Sequence, residues 1–148
     1  MLRKLRKRAE EEMGFSLVEL LVVILIVGVL AAIAIPLFLN QTAKANDASA
    51  KSQLNTAATV MQACADHNNG SYTSCTLAQI QADEPSLSDT EATALSATRQ
   101  SLNGYTLISS VVATGDVFTL TENNGVESRT CTSAQTAPTN GRCDSGTW

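Results

Sequence analysis

Histidine, aromatic side chains and basic residues beyond the N-terminus are all scarce in this sequence. His67 is its only histidine, so a His-based catalytic triad and a multi-histidine metal site are both excluded. Aromatic residues make up 4% of the chain, which leaves no evident continuous stacking path for charge transport. With no catalytic constellation in view, we expect no enzymatic activity, no cofactor and no metal centre.

Basic charge is concentrated in the first eight positions, and the rest of the chain is acidic. Half of the ten lysine and arginine residues lie in those positions, and beyond residue 14 five basic residues face eleven acidic ones. An acidic surface has no broad attraction for nucleic-acid phosphates. We therefore predict no direct binding of nucleic acid.

Four cysteines fall into two close pairs, Cys64 with Cys75 and Cys131 with Cys143. Neither pair has the short CxxC spacing of zinc sites or thioredoxin-like redox sites. Two disulfides in an oxidising compartment fit the spacing better, with four reduced, buried thiols as the alternative. Three connectivities are open to the sequence, and the two local bridges are favoured because each closes a short loop.

A long apolar run extends from Phe15 to Leu39 and contains one ionisable side chain, Glu19. About 20 apolar residues are enough for an α-helix to cross the hydrocarbon layer of a membrane. By the positive-inside rule, the basic cluster before the run stays in the cytoplasm. Residues after about 40 are then predicted to lie outside it.

Two ordinary interpretations of this run leave something unexplained. A secretory signal would be cleaved near Ala32-Ile33-Ala34, but the run exceeds the roughly 7–15 apolar residues of a signal core and contains Glu19. A plain single-span anchor accounts for the length and the orientation. It does not account for Glu19, because a carboxylate inside a span is costly and by default marks a functional site.

The residues around Glu19 support a third interpretation. The segment Gly14-Phe15-Ser16-Leu17-Val18-Glu19, followed by LLVVILIVGVLAAIAIP, resembles the prepilin signature of type IV pilins, of the type IVa-like kind. Pseudopilins are close relatives. The resemblance is strong over residues 8–60 and rests on architecture elsewhere. It implies that a prepilin peptidase cuts after Gly14 and methylates the new amino group of Phe15, and that Phe15 and Glu19 guide subunit assembly.

The pairing of Phe15 with Glu19 also has a physical rationale. Cleavage creates a basic α-amino group one helical turn before the carboxylate, and methylation leaves that group basic. Within one chain the two charges could neutralise each other, and between chains they could align each entering subunit with the one before. The alternative for Glu19 is a carboxylate favourably placed at the N-terminus of its own helix.

Gly28 and Pro36 are the potential weak points of the apolar run. They match positions where the helix of the family kinks or loosens in a filament. Proline removes an i to i−4 hydrogen bond, and glycine costs about 1 kcal/mol relative to alanine in a helix. Tolerated helix breakers in an ordinary span remain an equal alternative.

Beyond the apolar run, the spacing predicts that the helix continues with one buried face. Six small or apolar residues recur at intervals of three and four. They are Leu54, Ala57, Ala58, Met61, Cys64 and Ala65. Gly70 suits a left-handed turn, so we expect a single helix from about residue 16 to residue 67.

The sequence predicts that residues 71–103 form a connecting segment between the helix and the sheet. The pilin family has a variable loop at this place. The segment contains two weak helical patches, Leu77–Ala82 and Thr90–Gln100. Three β-prone runs follow and are separated by glycine-containing turns, which predicts an antiparallel meander. These runs are Tyr105–Ile108, Val117–Thr121 and Val126–Cys131.

The face of this sheet that covers the helix is predicted to carry Leu107, Phe118 and Leu120. A C-terminal disulfide loop from Cys131 to Cys143 follows the last run. In pilins a comparable loop is a surface for subunit packing or recognition, and the resemblance implies that role here.

Two further patterns are weak. Five residues with suitable oxygen atoms lack EF-hand spacing, so we interpret them as solvated turn residues instead of a calcium site. They are Asp116, Glu122, Asn123, Asn124 and Asp144. The sequons Asn40-Gln41-Thr42 and Asn69-Gly70-Ser71 fit N-glycosylation, a short motif with many false matches.

Together these features predict an α+β protein in which a long N-terminal helix packs on a small antiparallel sheet. Residues 1–14 would be a leader that is removed, residues 15–39 a transmembrane and filament-core helix, and residues 40–148 an exported head. The resemblance implies a subunit of a type IV pilus, for adhesion or twitching motility, that starts as a single-pass inner-membrane precursor and ends in an extracellular homo-oligomeric filament.

The partners that the resemblance implies are the membrane before assembly, the prepilin peptidase, and an assembly machine with a platform protein and an ATPase. Two alternatives stay open. One is a type II secretion pseudopilin or a minor competence pilin for DNA uptake. The other is a monomeric binding module tethered to the membrane.

Overall fold

The computed structural model describes residues 15–90, 92–134, 143 and 146–148. The chain divides into two compact units, Met1–Asn40 and Gln41–Trp148. The fold is α+β, as the sequence predicts. A long helix enters the second unit and packs there on a four-stranded antiparallel sheet.

The long helix, α1, spans Leu17–His67 and confirms the predicted single helix. It ends where the sequence predicts, because Asn69 and Gly70 both take positive φ angles, of 55° and 80°. The Gly70 amide donates to the Ala65 carbonyl at 2.8 Å, which closes the last turn. Glycine adopts this left-handed conformation without steric cost.

The second half of α1 buries the predicted stripe. Leu54, Ala57, Met61 and Ala65 are buried, and Ala58 and Cys64 are partly buried against the same core. The buried face also begins earlier than the prediction and includes Asp47, Ala50 and Gln53. It therefore includes polar side chains as well as apolar ones.

A short helix follows in the connecting segment. Helix α2 spans Leu77–Asp83 and confirms the first weak helical patch. The Thr76 hydroxyl caps it by accepting from the Gln79 amide at 3.2 Å, since the first amides of a helix lack partners within it. A single 3-10 turn, Pro85–Leu87, comes next and buries Leu87.

The prediction of helix in the second patch, Thr90–Gln100, is wrong. Strand β1 spans Thr93–Ser101 and pairs antiparallel with the next strand along the chain. The turn before it is held by side chains, because the Thr90 hydroxyl accepts from the Thr93 amide at 3.0 Å and the Asp89 carboxylate accepts from the Leu95 amide at 2.8 Å. Pairing with the sheet therefore overrides the local helical preference.

Three more strands confirm the three predicted runs and extend each of them. Strand β2 spans Gly104–Val111, β3 spans Val117–Asn123 and β4 spans Val126–Thr132. The spatial order is β1-β2-β3-β4 with every neighbour antiparallel, so the sheet is a meander. Consecutive strands joined by short turns are the simplest way to build such a sheet.

One face of the sheet covers α1. Leu107, Phe118 and Leu120 are all fully buried on it, as predicted. Two polar contacts fix the helix against this face. The Ser109 hydroxyl donates to Gln53 Oε1 at 2.8 Å inside the core, and the Lys51 ammonium lies 5.0 Å from the centre of the Phe118 ring.

The β1–β2 turn and the β3–β4 turn lie next to each other at one end of the sheet. The β3–β4 turn uses Asn124 and Gly125 with φ angles of 53° and 82°, a type I′ pattern that matches strand twist. The Asn124 amide donates to the Asn103 carbonyl of the β1–β2 turn at 2.9 Å. At Gly104 a Cβ would lie 2.4 Å from the Glu122 carbonyl oxygen, so only glycine fits there.

Candidate functional site

The first half of α1 is apolar and exposed. All its large hydrophobic side chains from Phe15 to Leu39 are between 44% and 81% exposed. The helix is long and apolar enough to cross a membrane by length and composition. Monomeric soluble proteins rarely leave so large a continuous apolar surface uncovered, so this segment requires lipid or other protein around it.

The start of α1 carries Glu19, and Phe15 lies just before the helix. The Ser16 carbonyl accepts from the Leu20 amide at 3.1 Å, and Glu19 stands in the first turn, exposed. Phe15 lies two residues before the helix and is 81% exposed. The pairing of Phe15 with Glu19 stays a prediction. Gly14 lies outside the described residues.

This arrangement offers one negative charge at the helix N-terminus, where unsatisfied backbone amides favour an anion. The backbone nitrogen of Phe15, four residues earlier in the sequence, becomes an α-amino group if the chain is cut before it. Both residues are exposed.

Gly28 and Pro36 both lie inside α1, and the helix runs through them. A Cβ added at Gly28 meets no heavy atom within 4 Å, so no contact within the chain requires glycine there. In membranes, small residues let neighbouring helices approach closely. Pro36 lacks an amide hydrogen and so leaves the Ala32 carbonyl without its usual intrahelical donor.

Two disulfides join the local cysteine pairs that the sequence favours. Cys64 and Cys75 link the last turn of α1 to the segment before α2, with their Cα atoms 5.9 Å apart. Cys131 and Cys143 link β4 to the C-terminal tail, with Cα atoms 5.8 Å apart. Both bridges therefore fix segments that follow a regular element. Bridges of this kind persist in oxidising compartments.

The last three residues fold back on the sheet, which the sequence does not reveal. The Cys131 amide donates to the Gly146 carbonyl at 2.9 Å, and Trp148 Nε1 donates to the Thr119 carbonyl at 3.3 Å. The Trp148 ring meets Phe118 edge-on with ring centres 6.1 Å apart, and the Arg129 guanidinium lies 4.7 Å from it. The tail is thus part of the head's packing.

Asp116 corrects one prediction about the turns. The sequence predicts a solvated turn residue, but its side chain is fully buried. The Ser133 hydroxyl donates to Asp116 Oδ1 at 2.6 Å, which ties the β2–β3 turn to the chain after β4. Asn123 and Asn124 are exposed turn residues and Glu122 is half-buried, while Asp144 lies outside the described residues.

A tyrosine pair lies near the end of α1. The ring centres of Tyr72 and Tyr105 are 4.9 Å apart, and both residues are buried. Burial raises the pKa of Tyr105 well above its ordinary value, and the nearby Tyr72, Glu122 and Glu127 raise it further. Burial also raises the pKa of Tyr72, with Glu122 and Asp66 adding to the effect.

The remaining candidates occupy exposed positions. His67 stands in the last turn of α1 and is exposed. Among residues 15–90, 92–134, 143 and 146–148, no group of three or more His, Cys, Asp or Glu side chains is placed to hold a metal ion. Asn40 lies on α1 and Asn69 in the turn after it, both exposed, so both sequons are accessible.

The comparisons with known proteins add no further identification. No protein-family model matches the chain, and no solved structure matches it.

Proposed function

We propose that the chain is the precursor of a structural subunit of a type IV pilus. A prepilin peptidase would remove residues 1–14 and methylate Phe15. The hydrophobic helix would then leave the membrane and pack with copies of itself in a surface filament. The observation that carries this proposal is the exposed apolar half of α1 with its single carboxylate, Glu19, one turn from Phe15.

Two surroundings account for that apolar surface at successive stages. In the membrane, lipid covers it. In a filament, the same surface of neighbouring copies covers it, and Glu19 meets the amino group of a neighbouring Phe15. Two opposite charges at about 4 Å attract strongly when little water is present, which offsets the cost of desolvating them. We therefore assign to Glu19 the alignment of each entering subunit.

The disulfides and the leader support the same route. The structure closes both cysteine pairs, which fits a head outside the reducing cytoplasm. The basic cluster of residues 1–8 fits a leader held on the cytoplasmic side. The partners under this proposal are the prepilin peptidase, the platform protein and the ATPase of a pilus assembly machine.

The first experiment compares Glu19→Ala with Val23→Ala, a truncation one turn further along α1 that removes no charge. Cells that produce each variant with the assembly machine are sheared, and the surface fraction is inspected by electron microscopy. We expect Glu19→Ala to be inserted and cleaved but to give few or no filaments, while Val23→Ala gives a yield near wild type. Wild-type filament yield from Glu19→Ala would overturn the assigned role.

The second experiment determines the N-terminus of the main sheared protein. We expect it to begin with N-methylated Phe15, and we expect Gly14→Leu to retain the leader and to form no filament. A mature chain that keeps residues 1–14, or one that begins after residue 34, contradicts the proposal. A wild-type surface fraction without polymer would favour a monomeric tethered module instead.

A further inference from the structure

Asparagine is followed directly by glycine at four places in the chain. They are Asn69-Gly70, Asn103-Gly104, Asn124-Gly125 and Asn140-Gly141, of which the last lies outside the described residues. The three described asparagines all lie in turns. Glycine has no side chain to hinder the approach of its own nitrogen to the preceding carboxamide. The pairs therefore share one local chemistry, and only the fold distinguishes them.

The reaction open to such a pair is loss of ammonia from the asparagine side chain. The backbone nitrogen of the glycine attacks Cγ of the asparagine and forms a new C–N bond. The bond from Cγ to Nδ2 then breaks, and Nδ2 leaves as ammonia with the proton of the glycine amide. One water opens the resulting succinimide at either of its two carbonyl–nitrogen bonds. The products are aspartate and isoaspartate, and no other reactant is needed.

The fold withholds the glycine nitrogen in two of the described pairs. The Gly70 amide donates to the Ala65 carbonyl at 2.8 Å, a hydrogen bond that closes the last turn of α1 and opposes loss of the amide proton. Gly104 is buried in β2 between β1 and β3, where even a Cβ would overlap the Glu122 carbonyl. For either nitrogen to attack, a helix end or a strand must first open.

The third pair, Asn124-Gly125, occupies the centre of the type I′ turn between β3 and β4 and is exposed. Asn123 and Val126 close this turn, a geometry in which the amide of the second central residue points outward. None of the backbone hydrogen bonds between described residues outside the regular elements uses the Gly125 amide. Its nitrogen can therefore approach the Asn124 carboxamide without the opening of a helix or strand.

Two neighbouring side chains hold the carboxamide that reacts. Asn103 Nδ2 donates to Asn124 Oδ1 at 3.1 Å, and Asn124 Nδ2 donates to Asn123 Oδ1 at 2.9 Å. Attack on Cγ places negative charge on Oδ1, so the Asn103 donor stabilises that charge as it forms. The Asn123 oxygen accepts from the nitrogen that leaves. The two adjacent turns thus provide a partner for each end of the carboxamide.

We propose that Asn124 is a self-modification site, at which the folded protein converts asparagine to aspartate or isoaspartate. This inference goes beyond the proposed function and does not rest on it, because the reaction needs only the head and water. The product adds a carboxylate near Glu122 and Glu127, which are already opposite each other in β3 and β4. Isoaspartate also lengthens the backbone of a two-residue turn. Conversion therefore weakens this hairpin as the protein ages.

The first test measures deamidation at each site in the purified full chain. Folded protein is incubated at mildly alkaline pH and digested with an acid protease. Mass spectrometry of the peptides then detects the exchange of an amide nitrogen for oxygen at each asparagine. A parallel sample in urea removes the fold. We expect Asn124 to react several-fold faster than Asn69 and Asn103 in the folded sample, and the three rates to converge in urea.

Two matched substitutions test the neighbours of the carboxamide. Asn103→Asp and Asn123→Asp each replace an amide with a carboxylate of nearly the same shape beside the site. Only Asn103→Asp removes a donor to the oxygen that becomes charged, whereas Asn123→Asp keeps its acceptor. We expect Asn124 to react several-fold more slowly in Asn103→Asp than in Asn123→Asp, with a much smaller difference in urea.

Each outcome supports or overturns the inference. A faster reaction at Asn124 in the folded sample that disappears in urea supports it. Equal rates in the folded sample, a faster reaction at Asn69 or Asn103, or a preference that persists unchanged in urea overturns it. If Asn124 reacts as fast in Asn103→Asp as in Asn123→Asp, the donor role of Asn103 is wrong. The proposed filament is decided separately, because none of these measurements requires assembly.

Discussion

Phe118 shows how single side chains hold the head together. It is fully buried in β3, and the Lys51 ammonium of α1 and the Trp148 ring of the tail both contact it. One aromatic ring therefore joins a strand, a helix and the chain end. Aromatic pairs at such distances stabilise by about 0.5–1.5 kcal/mol beyond the area they bury.

Leu107 and Ile108 give a matched pair of neighbours on opposite faces of β2. Leu107 is fully buried against α1 and Ile108 is half-buried on the other face. We expect Leu107→Ala to lower the free energy of unfolding by about 2–5 kcal/mol, because it leaves a cavity in the core. Ile108→Ala should cost less than half as much.

Urea unfolding of each full-length variant, followed by Trp148 fluorescence, gives the comparison. Trp148 is the only tryptophan and lies against Phe118, so its emission reports the state of the head. Equal losses of unfolding free energy for Leu107→Ala and Ile108→Ala would show that the face carrying Leu107 does not cover α1.

Tyr105 makes the head sensitive to alkaline pH. Burial raises its pKa above the value of about 10 expected in the unfolded chain. A raised pKa in the folded state means that the folded head holds its proton more tightly. The stability linked to that proton is therefore fully present below about pH 10 and is lost as the pH rises beyond it.

We expect the free energy of unfolding of the wild-type head to fall as the pH rises above about 10. Tyr105→Phe removes the titrating group and should make that fall clearly smaller. Denaturant unfolding at several pH values provides the measurement, with tyrosinate absorbance as a check on ionisation. An identical pH dependence in wild type and Tyr105→Phe would contradict the assignment.

Among the elements, those defined by local pattern could be predicted from the sequence. The stripe containing Leu54 and Met61 and the stop at Gly70 give α1, and the alternation around Leu107 and Phe118 gives β2 and β3. Each of these signals lies within a few residues of the structure it specifies.

Elements that depend on distant partners could not be predicted. Strand β1 contains Ala94, Leu95 and Ala97, which suit a helix, and it becomes a strand because β2 offers an edge. Asp116 follows a turn glycine and looks like a solvated residue. Its buried carboxylate accepts a hydrogen bond from Ser133, which lies 17 residues further along the chain. Short-range patterns do not contain such contacts.

The two disulfides stabilise different elements and can be told apart. Replacing Cys131 and Cys143 with alanine should lower the free energy of unfolding by about 2–4 kcal/mol, because the bridge restricts the unfolded chain. It should also change the native Trp148 emission, since the tail rests on β3. Replacing Cys64 and Cys75 should have a similar cost but leave the Trp148 emission unchanged.

Native fluorescence spectra of the two double variants, followed by urea unfolding, test this pair. The second double variant acts as the control for the first, because both remove one bridge closing a loop of similar length. An unchanged native spectrum without the Cys131–Cys143 bridge would mean that hydrogen bonds such as Trp148 Nε1 to Thr119 hold the tail alone.

At the scale of the whole molecule, the two units require different surroundings. The apolar half of α1 leaves its large side chains exposed and is long enough to cross a membrane, whereas the second unit has its own core and its disulfides. Under the proposed function, the orientation of the chain in the membrane decides whether each unit reaches its medium. We expect the charges before Phe15 to set that orientation.

The disulfides therefore report which way the chain is inserted. Neutralising the five basic residues of the leader should invert a fraction of the molecules, because basic residues dominate membrane orientation. These residues are Arg3, Lys4, Arg6, Lys7 and Arg8. Inverted heads lie in the reducing cytoplasm, so their four cysteines remain thiols. Thiol-specific mass tagging should then shift that fraction on a gel, while wild-type heads remain untagged.

The leader also provides the matched control. Replacing Glu10, Glu11 and Glu12 with glutamine changes three charges within the same fourteen residues, but acidic residues contribute little to orientation. We expect this variant to stay untagged like the wild type. Equal tagging of the two variants would mean that any change in the first fourteen residues alters the orientation. An untagged basic-residue variant would show that orientation is set elsewhere in the chain.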